Sequence, residues 1–177
     1  MAGDIPVEQA ETLRTIAEVA TAFAGFSGVV VALGSRADRE WSYNATMGIR
    51  FLLAFSLGVV FFAFVPLIVE AIGVPVWRIS NGLFGSFHLV LFVWVVGRSA
   101  PQIRDLLVPP WLFFVAAGIG AVSIALKLFV AVGLFQPLAC FTYLVGLVWL
   151  LTMATMMFVY LISEFFRGAE EPSSLAR

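Results

Sequence analysis

Polar residues in this chain are gathered into short segments, and the stretches between them are apolar almost without interruption. Five such stretches, at 12–33, 45–72, 79–97, 110–133 and 137–163, are long enough as helices to cross a hydrocarbon layer. A layer of ~30 Å needs about 20 helical residues. In lipid only helices and closed barrels satisfy their own backbone groups. Barrel strands would alternate apolar and polar positions, and Leu57–Val69 and Leu144–Leu151 do not. The pattern therefore predicts an all-α membrane protein, a five-transmembrane-helix bundle forming one domain over 1–166. The third stretch is the weakest, because it is short and contains Asn81, Ser86 and His88. A four-span chain is the alternative.

The connecting segments are small. Gly34–Asn44 carries Trp41 and Tyr43, aromatics suited to the headgroup zone. Gly73–Ser80 contains Pro75, and Pro110 is placed to start a helix. Gly133–Pro137 is so short that the last two helices must form an antiparallel hairpin. Pro66, inside the second stretch, predicts a kink. Residues 167–177, with Glu170, Glu171, Pro172 and two serines, read as a disordered cytoplasmic tail.

Basic residues favour the cytoplasmic side. With five spans, Arg36, Arg39, Arg50, Arg98, Arg104, Arg167 and Arg177 fall on one side and only Arg14 and Arg78 on the other. This predicts the N-terminus outside and the C-terminus in the cytoplasm. Without the third crossing the separation is poorer, which favours five spans. Met1–Glu11 holds three acidic and no basic residues. That is unlike the basic start of a cleavable signal peptide, so 12–33 is read as a retained span.

Composition narrows the function classes. Hydrophobic residues make up 62% and charged residues 12% of 177 residues, and the net charge of −1 gives no reason to expect nucleic acid. A single cysteine, Cys140, excludes an intrachain disulfide. A single histidine, His88, excludes multi-histidine metal sites within one chain. There is no phosphate-binding glycine loop and no Gly-x-Ser-x-Gly setting. The expectation is a non-enzyme with no metal and no cofactor, whose partners are the bilayer and further copies of itself.

Ionisable residues inside spans are costly and are functional candidates by default. At 1.5 Å per residue, Glu18 lies roughly 9 Å inside the outer end of its stretch. Lys127 has a similar depth, His88 sits mid-span and Glu70 lies near an end, where snorkelling to water is the ordinary reading. On one face with Glu18 stand Ala22, Gly25, Val29, Ala32 and Arg36, and beside it runs a small-residue stripe of Ala20, Ala24, Gly28 and Ala32. The Lys127 face reads Ala116, Gly120, Ser123, Lys127, Ala131. Small faces suit close helix packing or a water-filled path. In the third stretch Asn81, Gly85 and His88 share a face.

Two expectations follow. In the first, the protein is a homo-oligomer whose first helix lines a cation or proton pathway. Its elements are Glu18 as an outer acidic site, Ala22, Gly25 and Val29 as an apolar constriction, and Arg36 at the inner mouth. His88 and Lys127 set charge and pH response. In the second, it is a non-conducting membrane subunit or scaffold, with Glu18 and Lys127 as a structural ion pair and His88 as hydrogen-bonding glue. Ala20, Ala24, Gly28, Ala32, Gly120 and Ser123 serve helix packing in either case.

The segment Thr15–Arg36, TIAEVATAFAGFSGVVVALGSR, with its Ala-Glu-Val and Ala-Gly-Phe runs, resembles the first span of small multi-spanning bacterial membrane proteins of unassigned function. The resemblance covers about a fifth of the chain. It implies a bacterial inner-membrane setting and nothing catalytic. The order acidic, small or apolar, then basic is also similar to that of the pore helix of Orai-type calcium channels, where the chain runs the opposite way; no individual residues match.

Overall fold

A computed structural model describes residues 5–36, 43–99 and 110–170. These form five α-helices: α1 (Val7–Arg36), α2 (Tyr43–Ala71), α3 (Val76–Ser99), α4 (Pro110–Ala131) and α5 (Ala139–Glu170). No strand occurs among the described residues. Four segments are long and apolar enough to cross a membrane: Thr46–Ala71, Val76–Gly97, Phe114–Ala131 and Gln136–Ser163. The all-helical, multi-pass character expected from the hydropathy pattern is therefore present.

The weak member of the set differs from the sequence expectation. The third stretch, doubted for Asn81, Ser86 and His88, is an apolar helix of full crossing length. The helix outside the four is α1, whose first half carries Glu8, Glu11, Arg14 and Glu18. The third span passes because Arg78, at its start, is its one Asp, Glu, Lys or Arg, and because Asn81 and Ser86 farther in turn to backbone partners. Ser86 Oγ, for example, donates to the Gly82 carbonyl at 2.9 Å. α5 continues as helix through Glu170, so the expected tail begins inside it, and residues 171–177 lie outside the described residues.

The turns follow from local chemistry. α4 ends in a Schellman arrangement: Leu134 N–H donates to the Phe129 carbonyl (2.9 Å) and Gly133 N–H to the Val130 carbonyl (3.0 Å). Gly133 takes φ +100°, a conformation that favours glycine. Gln136 Nε2 also donates to the Val130 carbonyl (2.8 Å), and a 3-10 turn, Gln136–Leu138, leads into α5.

The chain divides into two compact units. The first comprises residues 1–13 and 62–149. Here α3 and α4 approach closely: a Cβ at Gly85 would lie 3.2 Å from Lys127 Cβ, and one at Gly82 3.3 Å from Ala131 Cβ. The second comprises residues 14–61 and 150–177. In it Phe158 meets Phe23 and Phe26 edge-on, at centroid distances of 5.4 and 4.8 Å. Many large apolar side chains, among them Phe61, Ile68, Val90, Phe114 and Val122, point outward. In water they would form adhesive patches, whereas against acyl chains they are in their own solvent.

Candidate functional site

The densest group of polar and aromatic side chains in the first unit surrounds Phe84 on α3. Phe84 is fully buried, stacks on Phe62 (4.8 Å) and His88 (5.8 Å), and meets Tyr143 edge-on at 5.1 Å. Lys127 Nζ stands 4.7 Å from its centroid. Lys127 reaches this position because Ala116, Gly120, Ser123, Lys127 and Ala131, at helical spacing, make the inward side of α4. Leu126 and Phe129 take the outward side.

The three donors of a lysine ammonium find three partners here. Nζ donates to Ser123 Oγ (2.5 Å) and to the Ser123 carbonyl (3.3 Å), and the Phe84 ring face receives the remaining charge density. The hydroxyl and carbonyl belong to the residue one turn earlier, so α4 largely solvates its own lysine. No carboxylate among the described residues bonds to Lys127. α5 makes room with Gly146, where any Cβ would overlap Lys127 Nζ and Cε. The sequence did not single out this glycine. His88 is 4% exposed, and its Nδ1 has no hydrogen-bond partner among the described residues.

Asn81, three residues before Phe84 in the same unit, ties α3 to the start of α5. Its Nδ2 donates to the Trp77 carbonyl (2.8 Å) and the Ala139 carbonyl (2.9 Å), and its Oδ1 accepts from Thr142 Oγ1 (3.2 Å). A fully buried amide is thus bonded on both ends within the chain, as burial requires.

Tyr143 solves a problem set by Pro66. In α2 the carbonyl of Phe62 would ordinarily accept from the N–H of residue 66, and proline has none. Tyr143 Oη donates to that carbonyl at 2.5 Å. Tyr143→Phe removes the substitute donor and is expected to lower stability by about 1–3 kcal/mol. Pro66→Ala restores the backbone donor, so in that background Tyr143→Phe should cost clearly less. Unfolding in detergent measures both, and an equal cost in the two backgrounds would refute the pairing.

In the second unit, α1 has two distinct sides. Ala17, Ala20 and Ser27 are buried and Ala24 half-buried, in line with Leu13 earlier on the helix. Glu18, Ala22, Gly25 and Val29 are exposed. At 100° per residue the two rows lie about 150° apart, nearly opposite. The stripe Ala20, Ala24, Gly28, Ala32 does not stay on one side: Ala20 is buried, Ala24 half-buried, Gly28 and Ala32 exposed. A spacing of four advances the helical phase by about 40° each step, so the stripe winds out of the packed face. Gly25 and Gly28 have no other side chain within 4 Å of where a Cβ would stand. The Arg36 side chain lies outside the described residues. Of the expected pathway residues, His88 and Lys127 thus meet around Phe84, and Glu18, Ala22, Gly25 and Val29 share the outward row of α1. Among the described residues no group of three or more His, Cys, Asp or Glu is placed to hold a metal ion.

Compared with protein-family models, with curated proteins and with solved structures, the chain matches none of them.

Proposed function

We propose that this is a homo-oligomeric, multi-pass protein of the bacterial inner membrane that conducts a cation or proton along the outward row of α1. The observation that carries this reading is the position of Glu18 on the side of α1 opposite its packed side. α1 has 30 residues, about 45 Å of helix. Centred on a slab of ~30 Å, it holds Glu18 roughly 9 Å below the surface. A charge facing acyl chains at such depth costs about 2.5–3.5 kcal/mol toward the centre. Neighbouring copies with water between them remove that cost. Gly25 and Gly28, open on their outer side, allow the close backbone approach that such contacts use.

Counting α1 as the fifth span is supported at both of its ends. Only six residues, 37–42, join it to α2, and Ile5 N–H is bonded to Glu70 near the other end of α2. A helix of 30 residues is thus followed by one of nearly equal length, 29. The asymmetry of basic residues supports an N-terminus outside and a C-terminus in the cytoplasm in this reading. Lys127, an unneutralised positive group in the core of the first unit, repels cations there, which favours a path between subunits over one within them.

One observation favours the second reading, a non-conducting subunit. Lys127 and Asn81 are satisfied by partners within the chain, as purely structural groups would be. The two readings separate in sealed proteoliposomes. Conduction gives dissipation of an imposed proton or monovalent-cation gradient well above that of empty vesicles. Vesicles that remain tight at every pH and voltage tried exclude it.

A further inference from the structure

The outward row of α1 carries a base as well as an acid. Arg14 is exposed, as Glu18 is. At 100° per residue it stands about 40° from Glu18, and about 6 Å, one turn, nearer the start of the helix. Its neighbours Leu13 and Ala17, on the packed side, are buried and apolar, so the guanidinium stays on the side of the row. A base four residues before an acid is the less favourable order for pairing within a helix, so local stabilisation does not explain Arg14. The other charged residues of α1 before Glu18 are Glu8 and Glu11, both exposed. With α1 centred on the slab as above, these two fall beyond its surface, whereas Arg14 lies roughly 3 Å inside it. Bulk water weakens the field of the outer pair most. From the start of the helix the order is therefore two acids in water, a base at the mouth and an acid one turn deeper.

We propose that Arg14 is the outer electrostatic barrier of the α1 pathway: its guanidinium, one turn outside Glu18, opposes the entry of cations and holds their flux low. The barrier rests on the conduction reading and adds what limits that path. Coulomb energy falls as 1/r, so a permanent positive charge about 6 Å from the site cancels about two thirds of the attraction of a carboxylate about 4 Å away. Each further copy around a shared path adds its own Arg14 at the same depth. An arginine that faces lipid instead snorkels to the headgroups, and removing it from there would leave flux untouched.

Flux of potassium ions and, in parallel, of protons through sealed proteoliposomes of the full chain tests the barrier, in a buffer of about 0.01 M salt, where screening is weak. Arg14→Gln is expected to raise flux by about threefold if the mouth has the dielectric constant of water, and by about a hundredfold at an effective value of about 20. Arg14→Lys, which keeps the charge, should stay close to the unmodified protein. Arg14→Cys in a Cys140→Ala background separates charge from shape and folding. It should conduct fast, slow down once a cationic thiosulfonate reagent is attached, and stay fast after an anionic one. Flux in Arg14→Gln equal to that of the unmodified protein overturns the barrier and leaves the conduction reading standing, as does a labelled Arg14→Cys indifferent to the sign of the attached charge. Vesicles that stay tight with the unmodified protein and with Arg14→Gln alike overturn both.

Discussion

Gly146→Val is expected to be among the most damaging single substitutions in the first unit, lowering stability by about 1–3 kcal/mol, the usual range for overpacking. A Cβ at this position would overlap Lys127 Nζ and Cε and stand 3.0 Å from Phe84 Cε1. A lysine tip can normally swing aside. This one is fully buried, held by Ser123 on its own helix and backed by the Phe84 ring. Valine serves better than alanine here, since alanine would regain about 1 kcal/mol of helix propensity. Lys127→Ala empties the contested volume, so the Gly146→Val cost should shrink in that background, with a coupling on the order of 0.5–3 kcal/mol. Thermal unfolding of the four proteins in one detergent gives the cycle. Additive costs would mean that Gly146 does not exist to admit Lys127.

Glu18→Gln has the second large effect, on flux. The substitution keeps shape and removes charge. A cation 4 Å from a carboxylate is held by about 4 kcal/mol at an effective dielectric constant of 20, and each 1.4 kcal/mol is about tenfold. Cation or proton flux in proteoliposomes should therefore fall by at least about tenfold, with the amount and subunit number of reconstituted protein unchanged. Flux equal to that of the unmodified protein would remove Glu18 from the pathway. Loss of folded protein in Glu18→Gln, with partial recovery when the two charges are exchanged (Glu18→Lys together with Lys127→Glu), would instead favour the structural ion pair.

Much of this architecture is legible along the chain, because a membrane span leaves a continuous signature. Apolar runs bounded by Gly133, Pro110 or Pro75 mark helices and turns close to where they occur. The inward side of α4 is also legible, since a lysine aligned with Gly120 and Ser123 cannot face acyl chains cheaply. Pairings across distant segments are not legible. Pro66 announces a missing donor and Tyr143 a spare hydroxyl, but 81 residues separate Tyr143 from Phe62. Only the fold shows that one answers the other. Glu70 reads as an ordinary helix-end acid until Ile5 is placed beside it. Gly146 is one glycine in an apolar run, and its purpose lies on another helix. For α1, spacing alone misleads: small residues every four positions suggest one stripe, whereas 13, 17, 20, 24 and 27 are the positions that stay aligned.

The claim on which the functional account rests is that the outward row of α1 lies against another copy of the chain. Site-directed cross-linking in native membranes tests it most directly, using Ala22→Cys in a Cys140→Ala background with Val90→Cys, an outward position on α3, as control. A disulfide requires Cα atoms within about 4.4–6.8 Å. The expected result is a band of two linked chains on oxidation for Ala22→Cys and none for Val90→Cys. Absence of that band at Ala22 and equally at Gly25, with the protein running as a single chain in nanodiscs, would contradict it.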